Sequence, residues 1–282
     1  MEARVGETFR KRLVVFYIPL CLFLVALLLP FYWMLITSLK PDVELYNARN
    51  APFLVWNPTL SHWWYLFTNT LFTRWAWNTL LVATASTVVS LGAGVLAGYA
   101  LARLTFRGST GFGIMIFITY LVPPTLLFIP LASVVAELHL LDSPWALILT
   151  YPTFLVPFSA WLLMGYFKTI PRELEECARI DGATRWQAMT RIILPLGLPG
   201  ILSAGIFSFT LSWNEFLYAL VFISSPEHKT IPVGVVSELI KGDVFFWGAL
   251  MAGALFGSVP VAFVYSFFVE HYVSGMTGAV KG

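Results

Sequence analysis

Glu215 is the one acidic side chain set inside an apolar region of this 282-residue chain, and Trp213 and Asn214 stand immediately before it. A carboxylate at membrane depth is a functional candidate by default. Counted from Gly200 it lies about 22 Å along a helix, in the outer part of a bilayer. The alternative reading is a structural hydrogen bond near the external surface. Other reactive types are scattered. His62, His139, His228 and His271 fall in four different segments and form neither HExxH nor any pair at metal-ligand spacing. Cys21 sits in an apolar stretch and Cys177 in a polar one, so neither a CxxC site nor a disulfide between them is expected. No GxxxxGK[ST] loop is present to cradle nucleotide phosphates. These residues give no support to a membrane-embedded enzyme.

The elements that must position Glu215 follow from charge. Apolar residues make up 58% of the chain and charged residues 11%, against roughly 25% charged in a typical globular protein. Residues 13–39, 75–102, 108–136, 143–167, 192–214 and 244–269 carry no charge at all. Each can supply the roughly 20 apolar residues that cross a hydrocarbon core. The expected fold is an all-α membrane protein with six transmembrane helices, at 13–37, 75–101, 111–134, 144–167, 200–222 and 246–269. The first is too long for the hydrophobic region of a signal peptide and lacks a cleavage site, so it is read as a retained anchor. Lys and Arg number four in residues 1–12, two at Arg103 and Arg107, five in 168–198, and one at Lys281. The opposite side holds Lys40, Arg49, Arg74, Lys229 and Lys241. This bias places 1–12, 102–110, 168–199 and the tail 270–282 in the cytoplasm, and 38–74, 135–143 and 223–245 outside.

Several segments carry finer expectations. Segment 40–74 holds Pro41, Pro52 and Pro58 with Trp56, Trp63 and Trp64, followed by Trp75 and Trp77. It reads as a loop lying on the bilayer, or as a docking surface for an external partner. Pro123, Pro124 and Pro130 break the third span, which then either lines a cavity or is simply kinked. Gly92, Gly94 and Gly98, with Ala93 and Ala97, form a small-residue face for close helix packing.

Residues 170–199 have the polarity of a soluble structure placed between two spans. Pro171 and then Glu173, Glu175 and Glu176 suit the start of a helix. Leu174, Cys177 and Ala178 share one of its faces. Gly182 is placed to end it in a left-handed conformation. Thr184 and Gln187 form a capping box for a second helix, with Trp186, Met189 and Ile193 as its apolar side and Pro195 as its end. The apolar face at this elbow either packs on the chain's own spans or enters a groove on another protein.

The spacing Glu176-Cys177-Ala178, three residues, Gly182, nine residues, Ile192-x-Leu194-Pro195 resembles the EAA loop of ABC-importer permeases, and Asp181-Gly182-Ala183 matches its common form. Cys177 replaces the first alanine and is small and apolar enough for the same hole. Asn78-Thr79-Leu80, Tyr99-Ala100-Leu101-Ala102-Arg103, Phe106-Arg107-Gly108, Trp213-Asn214-Glu215-Phe216 and the tail Gly275–Gly282 resemble the carbohydrate-importing, maltose-type branch, and there its second permease. The resemblance implies a multi-pass protein of a prokaryotic plasma (inner) membrane, in contact with lipid and with no nucleic-acid role. It implies a second, different permease, two ATP-binding-cassette subunits that hold ATP and Mg, and an extracytoplasmic solute-binding protein. This chain would itself bind no cofactor. Glu176, Ala178 and Gly182 would dock, approach and turn the coupling helix. Trp213, Asn214 and Glu215, with Tyr120, Pro123 and Pro124, are candidates for the translocation pathway. Pro226, Glu227, His228 and Lys229 are candidates for contact with the binding protein. The implied cargo is a di- or oligosaccharide. A polyol phosphate such as glycerol 3-phosphate is the alternative, although no Lys or Arg lies within the spans to meet a phosphate. A stand-alone secondary transporter would need a charge relay or an inverted repeat, and neither is found.

Overall fold

The computed structural model of the protein describes residues 11–47 and 51–278, with side chains through Ser266. Arg4, Arg10, Arg49 and the end of the tail, 279–282, lie outside the described residues. In chain order the helices are α1 (Leu13–Leu39), α2 (Asp42–Leu45), α3 (Ser61–Thr68), α4 (Phe72–Arg103), α5 (Ser109–Leu121), α6 (Pro124–Glu137) and α7 (Pro144–Thr169). They continue as α8 (Glu173–Ile180), α9 (Arg185–Leu196), α10 (Leu198–Trp213), α11 (Leu217–Phe222), α12 (Ile231–Leu239) and α13 (Trp247–Gly278). Among the described residues, α1, α4, α7 and the Trp247–Ser266 part of α13 are long and apolar enough to cross a membrane. The bent pairs α5–α6 (94°) and α9–α10 (75°) raise the number from four to six if each is one span.

Three boundaries differ from expectation for identifiable reasons. The third span is two helices, because Val122 and Pro123 are extended and Pro124 starts α6 afresh, while Pro130 lies inside α6 without ending it. The continuous span expected over 200–222 stops at Trp213 and resumes at Leu217. Pro195 does not end the second elbow helix. The Leu194 amide bonds to the Met189 carbonyl five residues back, a widened turn that lets the helix run through Pro195 to Leu196.

The chain divides into two compact units, one of residues up to Thr70 with Val235–Phe256, the other of Leu71–Gly234 with the residues from Gly257. In the first, two buried charges order the segment after α1. Lys40 donates to the carbonyls of Ala51 (3.1 Å) and Pro52 (2.7 Å). Glu44 accepts from the amides of Trp56 (3.3 Å) and Asn57 (2.9 Å). Gly248 lies against the His62 ring, where a β-carbon would sit 2.2 Å away. A two-stranded hairpin, β1 (Ile240–Lys241) with β2 (Val244–Phe245), turns at Gly242.

The second unit is organised by α4 against α7. Ser86, Ser90, Gly94 and Gly98 recur every four residues on α4 and are all buried. A β-carbon on Gly94 would meet the Ser159 β-carbon at 2.5 Å, and one on Gly98 the Leu163 β-carbon at 2.9 Å. Gly92 has open space around it, so it and the exposed Ala93 are not part of the contact. Ser159 and Ser208 share a buried 3.0 Å hydrogen bond that joins α7 to α10. Trp75 is also core: its indole N–H donates to the Pro226 carbonyl at 2.8 Å and Gly234 lies over its ring.

Candidate functional site

The residues 173–196 form the helix–elbow–helix that their spacing predicts. α8 ends at Gly182, whose φ of +90° is the left-handed conformation that glycine adopts without a steric cost. The Ala183 amide bonds back to the Ala178 carbonyl at 2.9 Å and closes the α8 terminus. Thr184 and Gln187 then make both bonds of a capping box, at 3.2 Å and 2.8 Å. No α8 residue is buried. Ile180 is 85% and Trp186 64% exposed, and Leu174, Glu176, Cys177 and Asp181 are exposed as well. Ala178 and Ala183 are half-buried. The apolar surface of Ile180 and Trp186 is therefore left largely uncovered by the described residues of this chain. The second half is anchored: Met189 and Ile193 pack in a buried cluster with Tyr99, Leu163 and Phe167, flanked by Ile192 and Leu194. Pro195 is exposed.

On its inner side α8 is tied to α4, and α4 to the end of α7, by side chains that spacing alone did not single out for contact. The Tyr99 hydroxyl donates to Glu175 at 2.6 Å. Arg103 donates to the carbonyls of Phe167 (2.7 Å) and Ile170 (2.6 Å) at the C-terminal end of α7, where the Phe167 carbonyl also receives the Ile170 amide. Tyr99 and Arg103 lie four apart on α4, so the legible signal was a Tyr and an Arg on one face at a helix end.

Glu215 belongs to the break between α10 and α11. Its carboxylate accepts from the Tyr151 hydroxyl (2.8 Å) and from the amides of Tyr218 (2.8 Å) and Ala219 (3.1 Å), so it caps α11. The structure thus favours the structural hydrogen bond over the free carboxylate. Trp213 is buried and gives its indole N–H to the Gly257 carbonyl at 2.9 Å. Asn214 and Tyr120 are exposed. Tyr120 lies one turn before the Pro123–Pro124 break, where the Tyr218 hydroxyl satisfies the Pro124 carbonyl at 3.1 Å.

The 224–231 segment folds back on α4. Asn78 donates to the carbonyls of Glu227 (2.8 Å) and Lys229 (3.0 Å), and the Ile231 amide to the Thr79 hydroxyl (2.8 Å). Pro226 and Glu227 are exposed, His228 is half-buried and Lys229 is buried. Asp142 closes the other flank. It accepts from the amides of Ser224 (3.0 Å) and Ser225 (2.8 Å) and from the Ser225 hydroxyl, with His228 Nδ1 at 3.7 Å. Partial burial pushes the Asp142 carboxyl up, but the Ser225 and Ser224 donors and the His228 charge outweigh it and hold the group below its ordinary range. Among the described residues, no group of three or more His, Cys, Asp or Glu could hold a metal ion.

Residues 90–278 match the family described as binding-protein-dependent transport system inner membrane component. The chain is 37% identical over 268 residues to the sulfoquinovosyl glycerol transport system permease SmoH of Agrobacterium fabrum, covering 94% of this chain and 93% of that one. It is 34% identical over 263 residues to the diacetylchitobiose uptake permease DasC of Streptomyces coelicolor, covering 92% and 93%. Its fold matches a subunit of a solved bacterial ABC transporter that imports alginate, with a TM-score of 0.77, 22% identity and 95% and 98% coverage. An apolar multi-helix chain, an uncovered helical elbow at the EAA spacing and these matches together establish that the chain belongs to the binding-protein-dependent inner membrane components, the permease subunits of ABC importers.

Proposed function

We propose that this permease passes a di- or oligosaccharide, delivered by a solute-binding protein, and that its 173–196 elbow takes up the motion of a separate ATPase pair. The observation that carries the coupling role is the split character of the elbow. α9 is rooted in the buried cluster, whereas Ile180 and Trp186 present apolar surface outward. An apolar face of that kind suits a groove on a partner, the helix-in-groove mode. Glu176 is exposed beside it and would hold the docking end by charge, while Cys177 and Ala178 permit close approach. ATP and Mg reside on the ATPase subunits, and both termini of this chain face the cytoplasm with the elbow.

The cargo class rests on relatives whose names specify a sulfoquinovosyl glycerol and a diacetylchitobiose, both glycosides of small size. Asn214 and Tyr120 are the exposed pathway candidates beside the two breaks. Trp213, being buried and bonded, supports α10 against α13 instead. Moving a two-state permease from 1:99 to 99:1 takes about 5.5 kcal/mol of differential binding, which the closing ATPase pair would deliver through the elbow.

The test reconstitutes the chain with its second permease, ATPase pair and binding protein in proteoliposomes. Labelled diacetylchitobiose, maltose, trehalose and glycerol 3-phosphate are offered in turn. Uptake of at least one of the three sugars is expected. Accumulation of glycerol 3-phosphate alone would overturn the cargo class. Gly182→Pro, which cannot adopt φ +90°, should leave the complex assembled and ATP hydrolysis present while uptake falls at least about tenfold. Undiminished uptake per ATP in this variant would overturn the coupling role.

A further inference from the structure

The adjacent carboxylates of α8 face different environments. Glu176 is exposed, whereas Glu175 is half-buried and receives the Tyr99 hydroxyl at 2.6 Å. Four residues further along the same face of α4, Arg103 spans two carbonyls at the end of α7. Arg172, in the short link between α7 and α8, reaches back to the Ala102 carbonyl at 3.4 Å. The two helix ends thus exchange guanidinium caps: Arg103 supplies a donor to Ile170 and a second one to Phe167, whose carbonyl also receives the Ile170 amide, and Arg172 supplies one to Ala102. Beneath these bonds Gly98 brings α4 against Leu163 and Met164 of α7, and the Tyr99 ring packs with Phe167, Met189 and Ile193.

We infer that Tyr99 and Arg103 are positioning residues that make the end of α4 part of the same moving body as α8, so that displacement of the elbow reaches α4 directly. Chain connectivity alone would carry that displacement only into α7 and, through α9, into α10. The Tyr99–Glu175 bond adds a lateral link to a span that is remote in sequence from the elbow. This inference rests on the coupling role proposed above for the elbow and names the span to which that role extends. A single side-chain hydrogen bond is worth up to about tenfold in an equilibrium. Packing at Gly98 and around the Tyr99 ring holds α4 to α7 and α9, and the Tyr99–Glu175 bond is what fixes α8 to them on this side.

The experiment measures one distance in the assembled importer. Cys21→Ser and Cys177→Ala remove the native thiols, and spin labels are placed at two exposed positions, Arg107→Cys after α4 and Glu173→Cys at the start of α8. Pulsed EPR compares the nucleotide-free complex with the complex trapped by ATP and vanadate. The distance should be the same in both states. Tyr99→Phe and Glu175→Ala should each make it shift or broaden on trapping, and the double variant should do no more than either alone. Glu175→Gln retains an oxygen that accepts the Tyr99 proton and should restore the single distance, which a merely structural loss of charge would not do. A distance that changes on trapping in the unaltered pair, or that stays fixed in both Tyr99→Phe and Glu175→Ala, would overturn the inference. The Gly182→Pro result separates the two levels. Uncoupling there with no effect at Tyr99 and Glu175 sinks the link to α4 alone, and continued coupling there sinks the role of the elbow itself.

Discussion

Single side chains in this protein act by answering backbone groups that the helices leave open. Glu215 caps α11, Asp142 gathers the 224–225 amides, and Asn78 holds two carbonyls of the following turn. Asp142 gives the pH dependence. Its folded carboxyl titrates below the unfolded value of about 3.9. Its stabilising bonds are therefore complete above that value and are lost as pH falls through the lower folded one. Asp142→Asn should melt at a lower temperature than the unaltered chain at neutral pH in detergent, with a smaller further loss on acidification to about pH 3. Scanning fluorimetry at the two pH values checks this, and equal losses would refute it. Glu215 was legible as an exceptional residue because it is the one acid amid apolar neighbours. Its role was not, because Tyr151 lies 64 residues away and the cap on the Tyr218 and Ala219 amides has meaning only once the helix is known to break before them. Asp142 gave no local signal, since an acid in a polar turn looks like ordinary solvated surface.

At the level of elements, the helical periods, the Gly182 terminus and the Thr184–Gln187 box were all readable, because each depends on residues within five positions of one another. The small-residue face of α4 was readable only in part. Composition groups Gly92, Gly94 and Gly98, yet a helix turns 100° per residue and only Gly94 and Gly98 point at α7. Gly94→Ala should therefore cost about 1–3 kcal/mol through overpacking against Ser159. Gly92→Ala, with open space around its β-carbon, should hold stability or raise it by up to about 1 kcal/mol. Unfolding of the two variants in detergent with added denaturant checks the ordering, and equal effects would contradict the packing. The break at Trp213–Leu217 was not readable. No proline marks it, and the Glu215 carboxylate supplies the acceptors that cap the start of α11.

For the whole molecule, six uncharged runs gave the membrane class. Among the described residues the structure sharpens this to four long helices and two bent pairs. The proposed orientation rests on the Lys and Arg bias and is testable by access from either side. In a chain without native cysteines, Arg107→Cys should react with a membrane-impermeant maleimide only in inverted vesicles, and Glu227→Cys only in right-side-out ones. The reverse pattern would invert the proposed topology. Both positions are exposed in the fold, so an unreactive thiol reports sidedness and not burial. What the sequence could not convey at this scale is burial between distant segments. α1 shows it plainly, since none of its residues from Leu13 to Leu35 is buried against the described residues although it is the most apolar of the long helices.

Ile180, at 85% exposure, and Trp186 also bear on how much of this protein a cell can hold. Apolar area left in water costs on the order of 25 cal/mol per Å² relative to area that is covered. A partner that binds only the folded elbow stabilises that fold by mass action, in proportion to the logarithm of its free concentration over its dissociation constant. Were the elbow occupied as proposed above, the subunit's persistence would be tied to the abundance of that partner, and the same two side chains would register whether assembly is complete.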